Sequence, residues 1–210
     1  MLSALSDWVT DVIDALGYVG VALLIALENL FPPIPSEIVL PFAGFVASDR
    51  GGFALVGMII AATIGSLVGA WILYGLSAWI GRERLRRFLL RYGKWLRLTT
   101  DDVDRAEAWF DRRAVVAVLV GRCVPLIRSV VSIPAGFRKM PLEIFTLYTL
   151  IGSLVWNAVL ISIGYALRDN WENVEPALDW FQYVVLALIV VAVVWFIWRR
   201  RFSARARAQS

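Results

Sequence analysis

Histidine is missing from all 210 residues, and cysteine occurs once, as Cys123. The first absence removes Ser-His-Asp hydrolysis, His-based phosphoryl transfer and His-ligated metal sites in one step. No catalytic residue, metal site or cofactor is therefore expected. A single thiol can close no disulfide within the chain. It also fails the thiol-phosphatase pattern, because four residues rather than five separate Cys123 from Arg128 and no histidine is there to act as base. Cys123 reads as an inert core residue. Charge is scarce as well, at 18% of residues against roughly 25% in soluble domains. The N-terminus lacks the basic region and small-residue cleavage site of a signal peptide, so it is expected to be retained.

What fills the chain instead is apolar. Hydrophobic residues make up 60%, mean hydropathy is +0.70, and ten tryptophans are present. Long apolar stretches with aromatics at their ends describe a protein solvated by lipid. The net charge of +4 is segregated rather than spread. Ten basic residues lie between Arg82 and Arg113, and five more from Arg199 onward. Residues 1–16 carry Asp7, Asp11 and Asp14 with no base, and 169–179 carry Asp169, Glu172, Glu175 and Asp179 with none. That pattern orients a chain across a bilayer with its basic segments inside, and it argues against a nucleic-acid partner.

Along the chain, residues 1–16 place Leu2, Leu5, Trp8, Val9, Val12, Ile13 and Leu16 at helical spacing, the signature of an amphipathic interfacial helix. Segment 17–48 is apolar but cut by Pro32, Pro33 and Pro35, so that neither half reaches the ~20 residues a spanning helix needs. It predicts a re-entrant hairpin, shaped by those prolines. Residues 53–80 are long enough to span, and Ala61, Gly65 and Gly69 give them a small-residue face for close packing. Segment 82–113 is basic and amphipathic, expected on the cytoplasmic surface. Within it Thr99-Thr100-Asp101-Asp102 caps a short helix that turns Val103, Ala106, Trp109 and Phe110 inward. Segment 114–138 is again apolar and broken, by Pro125 and Pro134, and predicts a second re-entrant hairpin. A spanning helix over 143–168, an external acidic loop over 169–179, a last spanning helix over 180–198 and a basic cytoplasmic tail over 199–210 complete the chain.

These segments predict an all-α membrane protein. It would be an inverted repeat of re-entrant hairpin plus transmembrane helix, with an extra C-terminal transmembrane helix and interfacial amphipathic helices. The N-terminus is expected outside and the C-terminus in the cytoplasm. Pro41-Phe42-Ala43-Gly44-Phe45 in the first half is echoed by Pro134-Ala135-Gly136-Phe137 in the second. Four charges fall inside the hairpins: Glu28 and Glu37 in the first, Arg122 and Arg128 in the second. Each costs about 2.5–3.5 kcal/mol at a helix centre, so they are expected to pair or to face a watery cavity. Arginine holds phosphate bidentately, which makes Arg122 and Arg128 candidate phosphate ligands. Glu28 and Glu37 are candidates for proton handling or for ion pairing. Arg138 and Lys139 read as interfacial anchors, and Asn157 as an interhelical hydrogen-bonding residue. A proton-coupled exporter of small ions or drugs stays open, although two arginines would repel cations.

At these residues the chain resembles the DedA family. Glu28-Asn29-Leu30-Phe31-Pro32-Pro33-Ile34-Pro35-Ser36-Glu37 is similar to its first motif. Arg122-Cys123-Val124-Pro125-Leu126-Ile127-Arg128, followed by Pro134-Ala135-Gly136 and Met140, is similar to its second. The resemblance runs from about Glu28 to Leu167, departing where Leu119 stands in place of a frequent aromatic. It implies the paired hairpins of the VTT domain, including Gly136 as a hairpin-shaping residue. It also implies a non-enzymatic, proton-motive-force-linked flippase in the bacterial plasma membrane, returning undecaprenyl phosphate or, alternatively, flipping or scrambling phospholipids more broadly. The family's essential acids fall on Glu28 and Glu37, and its essential arginines on Arg122 and Arg128. Membrane lipids are the implied partners, and a homo-oligomer stays open.

Overall fold

The computed structural model describes residues 12–13, 15–31, 36–84, 87, 100–125 and 127–167. Among them every regular element is a helix and there is no strand. The elements are α1 (Tyr18–Leu30), α2 (Ser36–Arg50), α3 (Gly52–Ile80), α4 (Thr100–Arg122), α5 (Ile127–Val130), α6 (Ser132–Phe137) and α7 (Leu142–Ala166). Most of the N-terminal amphipathic stretch, the proline turn 32–35, most of the basic segment and everything beyond Leu167 lie outside the described residues.

Two helices, α3 and α7, are long and apolar enough to cross a membrane. At 1.5 Å per residue α3 extends roughly 43 Å, more than a ~30 Å hydrocarbon core. They run antiparallel. Asn157 of α7 lies against Thr63 and Ser66 of α3, and the Trp71 indole donates to Thr146 at 2.9 Å. Val56, Ile60, Ile64, Val68 and Ile72 form an exposed ridge along α3, and Leu147, Leu150, Leu154 and Val155 do the same on α7. Glu28, Asn29, Arg122, Arg128 and Asn157 are buried. Apolar side chains outside and polar ones inside is the arrangement of a protein whose solvent is lipid.

Each broken segment turns back partway along the long helix that follows it. Tyr18 lies beside Gly57, Ala22 beside Gly65, and Ala26 and Asn29 beside Gly69, so α1 runs parallel to α3. It ends roughly 26 Å along that helix. Because only Gly51, in the left-handed region at φ +86°, separates α2 from α3, α2 must lead back to the start of α3. In the second half Leu119 and Arg122 of α4 meet Gly152, roughly 15 Å into α7. The second arms then cross over. Gly44 of α2 packs on Ile161 and Tyr165 of α7, and Gly136 of α6 packs on Tyr74 and Ser77 of α3. The two echoed glycines thus make equivalent contacts with opposite partners.

Two apolar clusters result. One joins Leu24, Ile25, Leu40 and Ala43 to Met58 and Ile161. The other joins Val118, Val131 and Ala135 to Ala70, Met140 and Phe145. Ile13 is fully buried in the first cluster, so the N-terminal stretch contributes a core residue. The helix expected to begin near Thr99 is longer than its pattern suggests: α4 continues to Arg122 through a non-helical Arg113. Phe110 points inward but Trp109 is 55% exposed, because consecutive helical residues diverge by about 100°.

Close helix approach at glycine makes a direct prediction. A Cβ at Gly164 would collide with the backbone of Pro41, whereas one at Gly75 meets nothing within 4 Å. Gly164→Val is expected to destabilise by about 1–3 kcal/mol, lowering the detergent melting temperature by several degrees. Gly75→Ala is expected to be neutral or stabilising by up to ~1 kcal/mol. Equal melting of Gly164→Val and the native chain would contradict the crossing.

Candidate functional site

Helix breaks deliver the charged side chains. Glu28 and Asn29 occupy the last turn of α1. Arg122 ends α4, where Pro125 forbids continuation, and Arg128 sits in the short α5 beyond it. Among the described residues the site combines one acid, two bases and three neutral polar groups.

Glu28 and Arg128, at 5% and 4% exposure, form an ion pair through Oε2 and Nη2. Arg122 is 2% exposed and has no carboxylate within ion-pairing distance among the described residues. Its Nη1 donates to Asn29 Oδ1 at 3.3 Å and its Nη2 to Ser132 Oγ at 2.7 Å. The guanidinium also stands 5.8 Å from the centre of the Phe145 ring, within cation–π range. Ser129 Oγ donates to the same Asn29 oxygen at 3.4 Å. The Nε atoms of Arg122 and Arg128 are buried without an acceptor among the described residues. Orphaned charged donors are costly, and guanidinium donors of this kind suit an anion that supplies several oxygens.

The packing of α1, α4 and α5 therefore brings Glu28, Arg122 and Arg128 together. Glu37 lies in the first turn of α2, but its side chain is outside what the structure describes. Pro32, Pro33 and Pro35 lie outside the described residues. Pro125 is in the turn between α4 and α5, Pro134 is inside α6, and Gly136 is the contact of α6 with α3. Cys123 donates from Sγ to the Gly152 carbonyl at 3.8 Å. Asn157 donates from Nδ2 to Thr63 and Ser66 at 3.3 and 3.4 Å, joining the two long helices. Asn29, Ser129, Ser132 and Phe145 escape a reading based on charge. Asn29 alone left a signal, as a second polar residue beside Glu28 in an apolar run.

Arg138 joins a network of ion pairs. Its Nε donates to Asp111 Oδ1 at 2.6 Å and its Nη1 to Glu107 Oε2 at 3.5 Å. Arg82, just past α3, also binds Glu107, with Nε at 2.7 Å from Oε2. That hydrogen bond raises the Arg82 guanidinium above its ordinary range, so it stays charged at any pH of interest. Lys139 takes the left-handed position (φ +52°) that ends α6, with Met140 N–H to the Ala135 carbonyl and Lys139 N–H to that of Gly136.

Comparison with known proteins places this geometry. A family model described as the VTT domain matches residues 34–166. An alkaline phosphatase-like protein of Lactococcus lactis subsp. cremoris is 46% identical over 90% of this chain and 89% of its own. Undecaprenyl phosphate transporter A of Staphylococcus aureus is 38% identical over 90% of this chain and 92% of its own. The protein of the same name from Bacillus subtilis is 32% identical over 95% and 96%. No solved structure matches the chain.

The inner pair should behave as a coupled unit. Glu28→Leu leaves the Arg128 guanidinium buried without this carboxylate, and is expected to cost about 3–5 kcal/mol. Adding Arg128→Met should recover at least half of that loss. The four unfolding free energies in detergent measure the coupling, and additive losses would refute the pair.

Proposed function

The chain belongs to the VTT-domain family of DedA membrane proteins, and from that premise we propose that it carries a phosphate-bearing lipid across the bilayer without altering it. Undecaprenyl phosphate is the lipid favoured, on the names of the Staphylococcus and Bacillus relatives. The observation that carries the reading is Arg122: a buried guanidinium held by neutral acceptors, with an orphaned Nε matched by that of Arg128.

In this reading α1–α2 and residues 114–138, from the kink in α4 through α6, are re-entrant hairpins that enter from opposite faces, and α3 and α7 span. A last helix over 180–198 returns the chain, leaving its N-terminus outside and its basic tail in the cytoplasm. The phosphate occupies the meeting point of the hairpins, near the midplane, where irregular backbone is covered by protein. Arg122 receives it first. Arg128 joins when the anion displaces Glu28, and a proton arriving at Glu28 has the same effect. Competition between carboxylate and phosphate for one guanidinium would link lipid movement to the proton gradient, with Glu37 as a second proton-handling group. Phospholipids share the phosphate, so broader flipping or scrambling rests on the same residues.

A phosphatase is the second reading, favoured by the name of the Lactococcus relative. It shares the phosphate seat but needs a nucleophile or a metal-bound water. The chain has no histidine, and no group of three acidic, cysteine or histidine residues that could hold a metal occurs among the described residues.

Vesicles containing the protein and labelled undecaprenyl phosphate separate these readings. Transbilayer movement without phosphate release is expected, and Arg122→Gln should slow it at least tenfold, about 1.4 kcal/mol or more of lost stabilisation, while melting as the native protein does. Native rates in a folded Arg122→Gln protein would remove the mechanism, and released inorganic phosphate would favour the enzyme.

A further inference from the structure

The two buried arginines are held differently. Arg128 faces the carboxylate of Glu28, whereas the described groups bonded to Arg122 are Asn29 Oδ1 and Ser132 Oγ, with the Phe145 ring nearby. None of those three carries a formal charge. A neutral acceptor fixes the direction of a guanidinium and leaves its positive charge available to an incoming anion. A carboxylate in the same place would fix the direction equally well and cancel the charge.

The chemistry around Asn29 sets which end of its amide meets Arg122. The Asn29 Nδ2 donates to the Ile25 carbonyl at 3.1 Å, one turn back along α1. Turned over, the amide would set an NH2 against the Arg122 Nη1 and the Ser129 hydroxyl, and an oxygen against the Ile25 carbonyl oxygen. Oδ1 must therefore face Arg122. The side chain is also placed from behind. A Cβ at Gly69 would stand 2.6 Å from the Asn29 Cβ, so the glycine lets α1 approach α3 and bring Asn29 up to the arginine. Asn29 is 1% exposed and links α1 to both α4 and α5.

We propose that Asn29 is a positioning residue for the phosphate seat, aiming the Arg122 guanidinium at an anionic headgroup without neutralising it. The proposal rests on the transport reading above and adds to it a division of labour. Arg122 is the standing positive charge that attracts the phosphate, and Arg128 is held in reserve by Glu28. The ligand chemistry implied is a phosphate monoester or phosphate itself.

Asn29→Asp and Asn29→Leu test it, because both keep the shape of the side chain. The first keeps the acceptor and adds a charge. The second removes the acceptor and adds none. The full-length protein, in phosphatidylcholine nanodiscs, is titrated at neutral pH with a short-chain isoprenyl phosphate and, separately, with inorganic phosphate. The expected order is unusual for a structural residue. Both variants lose the bond to the Ile25 carbonyl, but Asn29→Asp gains a carboxylate beside Arg122, so it should melt no lower than Asn29→Leu yet bind at least tenfold more weakly than the native chain, while Asn29→Leu loses less than tenfold. Native-like binding by Asn29→Asp, or a greater loss in Asn29→Leu, would overturn the proposal. Native protein that binds neither probe would instead overturn the transport reading. Preference for the isoprenyl phosphate supports a lipid headgroup at Arg122, and the reverse preference overturns it.

Discussion

Keeping Glu28, Arg122 and Arg128 out of water, inside helices whose outer faces are apolar, is the constraint on which the rest of the structure depends. An unpaired charge at such depth costs several kcal/mol, so every element near the centre is arranged to cover one. The helix dipoles sharpen the difference between the acid and the bases. Arg122 ends α4, where the partial negative charge of the helix C-terminus favours a cation. Glu28 lies near the C-terminus of α1, where the same effect disfavours an anion. The carboxylate therefore leans on Arg128, while the hydrogen bonds of Arg122 go to the neutral Asn29 and Ser132.

That electrostatic centre requires helices to approach closely, and the approach is built twice by one rule. The first arm of each broken segment lies on the long helix that follows it, at Gly69 beside Asn29 and at Gly152 beside Arg122. The second arm lies on the long helix of the other half, at Gly44 and at Gly136. Neither half could cover its own charges alone. Each contributes one side of the pair, and the crossing of second arms fixes the two halves against each other.

Much of this was readable in the sequence because charge in an apolar run is conspicuous. Glu28, Arg122 and Arg128 declare themselves by their cost, and the prolines beside them mark where helices must break. The echo of Pro41-Phe42-Ala43-Gly44 in Pro134-Ala135-Gly136 also proves meaningful, since Gly44 and Gly136 make matching contacts. The choice of partner was not readable, because two acids and two bases near the same breaks allow several pairings. Ser129 and Ser132 were invisible for a different reason: neutral polar residues are common in membrane helices and carry no penalty large enough to flag them. Arg138 shows the limit of local pattern. Its partners Glu107 and Asp111 lie 31 and 27 residues away, and no spacing rule reaches that far.

The two ion-pair systems differ in what they can contribute. Arg82 is 48% exposed and Asp111 41%, and pairs so open to solvent are worth roughly 0–1 kcal/mol each. Their value is geometric. Glu107, only 7% exposed, binds both Arg82, just past α3, and Arg138, just past α6. One carboxylate on α4 thus holds the exits of two elements in register. Arg138 is followed at once by the left-handed Lys139 and then by α7, so fixing that exit fixes where α7 begins. Gly152 lies ten residues into α7, and it is the contact that seats Arg122. The outer pairs therefore act on the inner site through helix register, adding little energy of their own but deciding which residues the energetic contacts join.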